Sequence, residues 1–129
     1  MTIVVGYVPT PQGEAALNAA GEEARLRGDR LVVVSSTRGE SHVSPVYPQT
    51  SALARSVAAV RSTGVECDVR HLETARDAAD AIISVAEEEQ ASLVVIGLKR
   101  RSAVGKLLLG STAQRVLLDV HCSVLAVRT

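Results

Sequence analysis

The chain has 129 residues, 47% of them hydrophobic, and a formal net charge of zero. This length and composition are typical of a single domain with its own core, which we expect to span residues 1–129. Balanced charge and only two aromatic residues, Tyr7 and Tyr47, argue against nucleic-acid binding, which needs a basic face or a stacking platform. No apolar run reaches the length of a membrane span, no signal peptide is recognisable, and the two cysteines lack metal-type spacing. We therefore expect a cytoplasmic protein without a membrane partner.

The first half of the chain alternates apolar runs with helical patterns. Residues Thr2–Val8 form a near-continuous apolar run, which is typical of a strand covered on both faces. A helix is predicted over Glu14–Arg27, with Gly28 just past its end, and a second buried strand over Leu31–Ser35. The polar, proline-containing connection over residues 36–50 is either a cover for a ligand or a solvent-exposed linker.

The second half continues this alternation. A helix is predicted over Ser51–Ser62, then a strand over Val65–Leu72 whose alternating pattern indicates an edge or half-covered strand, with Cys67 facing the core. Two further strands, Leu93–Gly97 and Ser123–Val127, each follow a helical pattern. Five strands alternating with four helices predict a doubly wound α/β fold, a Rossmann-like five-stranded parallel sheet with helices on both faces.

The third helix has a predicted start and an acidic end. Thr74 and Asp77 resemble a capping box, which would begin this helix. The helix ends in the run Glu87–Glu89, whose carboxylates oppose the helix dipole. We interpret that run as a solvated face rather than a metal site.

The stretch that joins the fourth strand to the fourth helix is the most informative about function. It begins at Gly97 and ends at Gly110, with Ser111 and Thr112 as candidate cap residues. A strand end, a basic loop containing glycines and a helix N-terminus together favour an anion, although a solvated basic loop is the alternative. The loop contains the cations Lys99, Arg100, Arg101 and Lys106 and no acidic residue.

Three strand ends are expected to converge on this loop. In doubly wound sheets, ligands bind at the carboxyl ends of the strands, where the direction of winding reverses. The ends of strands one, two and four carry Val8-Pro9-Thr10, Ser35-Ser36 and Gly97-Leu98. No histidine falls beside a serine and an aspartate at one strand end, so we predict neither catalytic residues nor a metal site.

The spacing of Gly97, Arg100 and Gly110-Ser111 resembles the signature of the universal stress protein family. Nucleotide-binding members of that family carry Gly, two residues, Gly, nine residues, Gly and then Ser or Thr. The resemblance covers the whole chain. It implies a cytoplasmic stress-response protein that is a homodimer through its last strand, here Val124–Val127, and that binds ATP, with or without Mg²⁺, or a related adenine nucleotide.

The resemblance also implies which residues would contact the nucleotide. Gly97 and its neighbours would contact the ribose and phosphates, the Gly110-Ser111-Thr112 match would hold phosphate oxygens, and the end of the second strand would line the adenine pocket. The implied nucleotide-binding residues are Val8, Pro9, Thr10, Val34, Ser35, Ile96, Gly97, Arg100, Arg101, Gly110, Ser111 and Thr112.

Two residues depart from the family pattern. Arg100 replaces the middle glycine, which removes close backbone approach but supplies a cationic phosphate ligand. Val8 stands where the first strand of the family ends in an aspartate that helps to hold ribose or metal. The missing carboxylate weakens metal-assisted binding and leaves Thr10 as the polar replacement nearby.

Three functional hypotheses follow. The first is a regulatory protein that binds an adenine nucleotide at the strand ends. The second is a dimeric interaction module of the same family without a nucleotide. The third, a slow ATPase or nucleotidyl transferase, is disfavoured because no base or metal-binding carboxylate stands at the first strand end.

Overall fold

The computed structural model describes residues 1–36, 47–72, 77–99 and 110–129. Nine elements alternate along these described ranges, as the sequence predicts. They are β1 (Thr2–Tyr7), α1 (Pro11–Arg27), β2 (Arg30–Ser36), α2 (Tyr47–Ser62), β3 (Cys67–Leu72), α3 (Ala78–Glu88), β4 (Leu93–Leu98), α4 (Ser111–Asp119) and β5 (Ser123–Arg128).

The strands form one parallel sheet in the order β3-β2-β1-β4-β5. The central strand β1 pairs with β2 on one side, with Tyr7 opposite Ser35, and with β4 on the other, with Val5 opposite Val95. The winding therefore reverses between β1 and β4, which opens the ligand crevice of such folds at their carboxyl ends. The predicted doubly wound α/β fold is confirmed, and β3 lies at an edge as predicted.

The core consists of two apolar layers, one on each face of the sheet. One face packs against α1 and α2, and includes Ile3, Val33 and Val95 together with Leu17. The other face packs against α3 and α4. Its buried strand residues are Val4, Val32, Val34, Val94 and Ile96. Because each central strand is covered on both faces, it needs a continuous apolar run, which is the pattern that the sequence shows.

Two helices begin earlier than predicted. Helix α1 begins at Pro11 rather than Glu14, with Thr10 as its N-cap, and the Thr10 hydroxyl accepts a hydrogen bond from Gly13 N at 3.1 Å. Helix α2 begins at Tyr47 rather than Ser51, so the last residues of the predicted 36–50 connection are helical. Proline is tolerated in a first helical turn because an N–H there has no intrahelical partner. Residues 37–46, the rest of that predicted connection, lie outside the described residues.

The predicted helix caps are wrong for α3 and α4. Asp77 is itself the N-cap of α3 and makes no side-chain cap bond; its carboxylate instead accepts a hydrogen bond from Arg115 at 3.3 Å. Thr74, the other half of the predicted capping box, lies outside the described residues. The N-cap of α4 is Gly110, so Ser111 is the first helical residue rather than the cap.

The acidic end of α3 takes part in ion pairs rather than facing only solvent. Glu89 accepts a hydrogen bond from Arg30 at 2.9 Å, and Glu88 lies 2.8 Å from Arg70. These guanidinium groups offset the unfavourable position of carboxylates at a helix C-terminus. Cys67 is buried in the core, as its alternation predicts. Within the described ranges, the helices are all too short or too polar to cross a membrane.

The core at α1 gives a first prediction. Leu17 is completely buried between the sheet and α2, whereas Leu26 on the same helix is 65% exposed. We expect Leu17→Ala to lower the free energy of unfolding by about 2–5 kcal/mol, because it leaves a cavity. Leu26→Ala, the matched control, should change it by less than about 0.5 kcal/mol in urea unfolding. Equal effects of the two substitutions would contradict this core.

Candidate functional site

The first turn of α1 closes one side of the crevice between β1 and β4. A Cβ atom on Gly97, near the end of β4, would overlap the main-chain carbonyl of Gln12, and a Cβ on Gly13 would overlap the carbonyl of Val8. Both contacts bring backbone directly against backbone, which only glycine permits. The ends of β1 and β4 and the start of α1 therefore form a single tightly packed unit.

The turn after β1 presents mostly apolar surface. Val8 is 39% exposed and Pro9 is exposed, while the Thr10 N–H donates to the Val8 carbonyl at 2.8 Å. The Thr10 hydroxyl oxygen already accepts the cap bond of α1, which leaves its O–H and one lone pair for a ligand. Thr10 therefore has less hydrogen-bonding capacity for a ligand than the aspartate that it would replace, because its hydroxyl also caps α1.

The predicted residues at the ends of β2 and β4 differ in accessibility. Val34 and Ile96 are 2% and 4% exposed, and their side chains lie in the apolar layer beneath α3 and α4. A ligand at the strand ends could therefore not reach either side chain. Ser35 is 7% exposed and lies beside Tyr7 on the face covered by α1 and α2. The parallel strands bring Ser35 of β2 and Gly97 of β4 to the carboxyl end of the sheet, on either side of β1.

Among the described residues, no side chain caps the start of α4. Gly110 at the N-cap has ordinary extended dihedral angles, and no described atom lies within 4 Å of the position a Cβ would occupy. Ser111 is exposed, Thr112 is half-buried, and the first turn contains no acidic residue. The amide groups of a first helical turn have no intrahelical partner and favour an anion. Arg100 and Arg101, predicted to complete this site, lie outside the described residues.

Arg115 supplies positive charge near the start of α4, but acidic residues already engage it. Its guanidinium lies 2.7 Å from Asp80 and 3.3 Å from Asp77 on α3, and 3.6 Å from Asp119 one turn along α4. Hydrogen bonding to Asp80 raises the pKa of Arg115, so it stays charged. Arg115 therefore joins α4 to α3 and is not a free phosphate ligand.

The sequence patterns do not reveal a polar cluster beneath the crevice. Tyr7, the last residue of β1, donates its hydroxyl to Glu14 of α1, and Ser56 of α2 donates to the other oxygen of the same carboxylate at 2.7 Å. Burial, followed by the hydrogen bond and charge of Glu14, strongly raises the pKa of Tyr7. The sequence signals this cluster only by a tyrosine, Tyr7, at the end of a strand that is otherwise free of aromatic residues.

Comparison with known proteins decides the family. The model of the universal stress protein family matches residues 1–128. The chain belongs to the universal stress protein family. A universal stress protein of Mycolicibacterium smegmatis is 37% identical over 126 residues, covering 98% of this chain and 96% of that protein.

Solved structures share the fold over almost the whole chain. A universal stress protein from Archaeoglobus fulgidus superposes with a TM-score of 0.79 at 33% identity, covering 98% of this chain and 97% of that one. Another structure, of the universal stress protein from Archaeoglobus fulgidus in complex with dAMP, has a TM-score of 0.74 at 29% identity, covering 98% and 96%. The predicted family membership and fold are thus confirmed.

The two glycines of the signature should respond differently to substitution. Gly97→Ala introduces a methyl group into the Gln12 carbonyl, so we expect unfolding free energy to fall by about 1–3 kcal/mol. Gly110→Ala meets no described atom at a permitted backbone conformation, so it should cost at most about 1 kcal/mol, the penalty of alanine at an N-cap. Thermal unfolding without any nucleotide measures both, and equal destabilisation would refute the packing role of Gly97.

Proposed function

We propose that this universal stress protein is a regulatory protein that binds an adenine nucleotide at the carboxyl ends of β1, β2 and β4. The observation that carries the proposal is the start of α4 at Gly110, which no described side chain caps and whose first turn contains no acidic residue. This helix start follows β4 at the point where the winding reverses. The dAMP complex of the Archaeoglobus fulgidus relative supports the choice of ligand. Both cysteines are free thiols, which suits the reducing cytoplasm.

The phosphate would be held by backbone and side-chain donors together. The first-turn amides of α4 and the hydroxyls of Ser111 and Thr112 are suitable donors to phosphate oxygens. Arg100 and Arg101, which precede them in the sequence, would add charge-assisted hydrogen bonds. Arg100 thereby takes over a role that backbone approach at a glycine fills elsewhere in the family.

The nucleoside would lie against the ends of the strands. Val8 and Pro9 offer exposed apolar surface for the base or ribose, and the backbone at Ile96 and Gly97, beyond the last β4 residue that pairs with β1, offers hydrogen-bonding groups. Ser35 is the hydroxyl that we expect on the β2 side. Recognition by backbone groups suits a planar base with several donors and acceptors.

A metal ion would receive little from the described strand ends. Mg²⁺ prefers carboxylate oxygens, but Val8 occupies the end of β1 and the nearby Glu14 carboxylate accepts bonds from Tyr7 and Ser56. The described residues therefore do not fit a protein-bound Mg²⁺. We propose that the nucleotide is held through its phosphates and base, and that its affinity is independent of a metal.

Titration calorimetry with AMP and with ATP tests this site. We expect binding that persists in EDTA. Gly110→Asp places a carboxylate at the N-cap of α4, where it would occupy the first-turn amides and repel phosphate. It should raise helix stability by up to about 1 kcal/mol and weaken nucleotide binding at least about tenfold.

Gln114→Glu is the matched control for that charge. Gln114 is exposed one turn further along α4, so its variant adds the same charge without occupying the N-cap. We expect a markedly smaller loss of affinity than in Gly110→Asp. Absence of wild-type binding at millimolar AMP and ATP, or equal losses in the two variants, would contradict the proposed phosphate site.

We also propose that the protein is a homodimer paired through β5, whether or not it binds a nucleotide. The two sheet edges differ. On β3, the Glu66 carbonyl accepts from Leu31 N of β2, so the next carbonyl, that of Cys67, points to the open edge. Arg61 donates two hydrogen bonds to this Cys67 carbonyl, at 2.9 and 2.6 Å. On β5 every side chain is exposed or only half-buried, and Val124–Val127 is an apolar run suited to pairing with a second strand.

Leu117 of α4 extends this apolar edge. Arg115 points toward α3, since it binds Asp77 and Asp80 there, and a residue two positions later points about 200° away around a helix. Leu117 therefore lies on the side of α4 away from α3, toward β5, and is 41% exposed. A second copy related by a two-fold axis would cover it.

Charge at Leu117 should separate the subunits. We expect Leu117→Glu to shift the protein from dimer to monomer at micromolar concentration, because pairing would bury the carboxylate. Leu26→Glu, on the exposed face of α1, is the control and should leave the dimer intact. Sedimentation velocity measures both. A wild-type monomer, or a Leu117→Glu dimer of unchanged strength, would contradict pairing at this edge.

A further inference from the structure

Glu14 joins three elements of the fold through one carboxylate. One of its oxygens accepts the Tyr7 hydroxyl from the end of β1, and the other accepts the Ser56 hydroxyl from α2. Glu14 itself belongs to the first turn of α1. The hydrogen bond from Ser56 to Glu14 joins a side chain of α2 to a side chain of α1, and it is the one such bond between the described residues of these two helices.

This cluster lies just beneath the crevice. Tyr7 is the last residue of β1 and is opposite Ser35 in the register, and Glu14 follows the Val8–Thr10 turn by one helical turn. The buried apolar residues of α2 are Leu53, Val57 and Val60, which belong to the same core layer as α1, and apolar packing allows sliding more readily than a directional hydrogen bond does. The Ser56 bond therefore fixes how far α2 stands from the strand ends.

We propose that Glu14 is a positioning residue, which holds α2 against the end of β1 and so sets the width of the nucleotide crevice on its β2 side. The effect on the width of the crevice rests on the proposed nucleotide function. The attachment of α2 to α1 rests only on the hydrogen bonds that Glu14 accepts from Tyr7 and Ser56. It concerns residues outside the glycine signature.

The energetics favour a fixed cluster. Tyr7 is 3% exposed, so its hydroxyl would lose its partner without access to water if Glu14 moved away. Burial and the Glu14 bond raise the pKa of Tyr7, which keeps its hydroxyl protonated and able to donate across the physiological range. The carboxylate also lies in the first turn of α1, where the helix dipole favours negative charge.

Ser56→Ala tests the anchor with little disturbance of the core. We expect AMP affinity by calorimetry to fall roughly three- to tenfold, the value of one hydrogen bond, and the melting temperature to fall by no more than a few degrees for the same reason. Amide hydrogen exchange in α2 should accelerate by about threefold or more. Ser62→Ala is the matched control, since the Ser62 hydroxyl bonds only the Ala59 carbonyl within α2, and it should change neither quantity.

Two further variants separate positioning from general stability. Ser56→Thr retains the hydroxyl and should restore AMP affinity toward the wild-type value. Tyr7→Phe should weaken binding as well, and its effect should not add fully to that of Ser56→Ala, because both act through Glu14. Full additivity would overturn the shared role of the carboxylate.

The outcomes for the anchor and for the proposed function are distinguishable. Wild-type binding of AMP with unchanged affinity in Ser56→Ala would overturn the positioning role while leaving the nucleotide site intact. If the wild type binds no AMP, the nucleotide site and the crevice role both fail. In that case, faster exchange of α2 in Ser56→Ala, but not in Ser62→Ala, would still support the anchor, and unchanged exchange would overturn it.

Discussion

Direct contact between backbone atoms at the start of α1 is the constraint on which the candidate site depends. Gly97 faces the carbonyl of Gln12, and Gly13 faces the carbonyl of Val8, with no room for a side chain at either place. These contacts fix the β1 turn, the end of β4 and the first turn of α1 relative to one another. Packed interiors transmit such constraints because they contain few voids. The crevice therefore has one rigid wall, formed by main chain.

The opposite side of the crevice is held by side chains. On the β2 side, α2 is tied through Ser56 to Glu14, and on the β4 side, α4 is tied to α3 through Arg115. Each of these anchors is directional, so it sets the position of a helix that apolar packing alone leaves freer to slide. A rigid main-chain wall therefore faces helices whose positions depend on a few side-chain contacts.

The sequence predicted those features that depend on local pattern. Buried strands such as Leu31–Ser35 were recognisable because a sheet covered on both faces requires continuous apolar runs, and the edge position of β3 followed from its alternation. Helix starts were less predictable, because capping depends on which of several nearby polar residues adopts the extended conformation. Thus Asp77 became an N-cap and bound Arg115 instead of closing a capping box with Thr74.

The site itself was predictable only in part, for a related reason. Its position followed from topology, but the inward direction of Val34 and Ile96 depends on which face of the sheet each strand residue meets, and the family resemblance carries no such detail. The Tyr7–Glu14–Ser56 cluster was invisible because its members are separated by up to 49 positions along the chain and no periodicity connects them. Contacts of this kind are a property of the assembled fold.

The two described glycines of the signature show that one motif can combine different physical requirements. Gly97 has a sufficient explanation in packing, since any side chain would collide with Gln12. Gly110 has no such packing requirement among the described residues, because none of their atoms lies near the position of its Cβ and its backbone angles suit every residue. At an N-cap, Ser, Thr, Asp or Asn would stabilise α4 at least as well by satisfying a first-turn amide. A glycine there forgoes a side-chain acceptor and leaves those amides to an external one, which is the property that a phosphate-binding helix start requires.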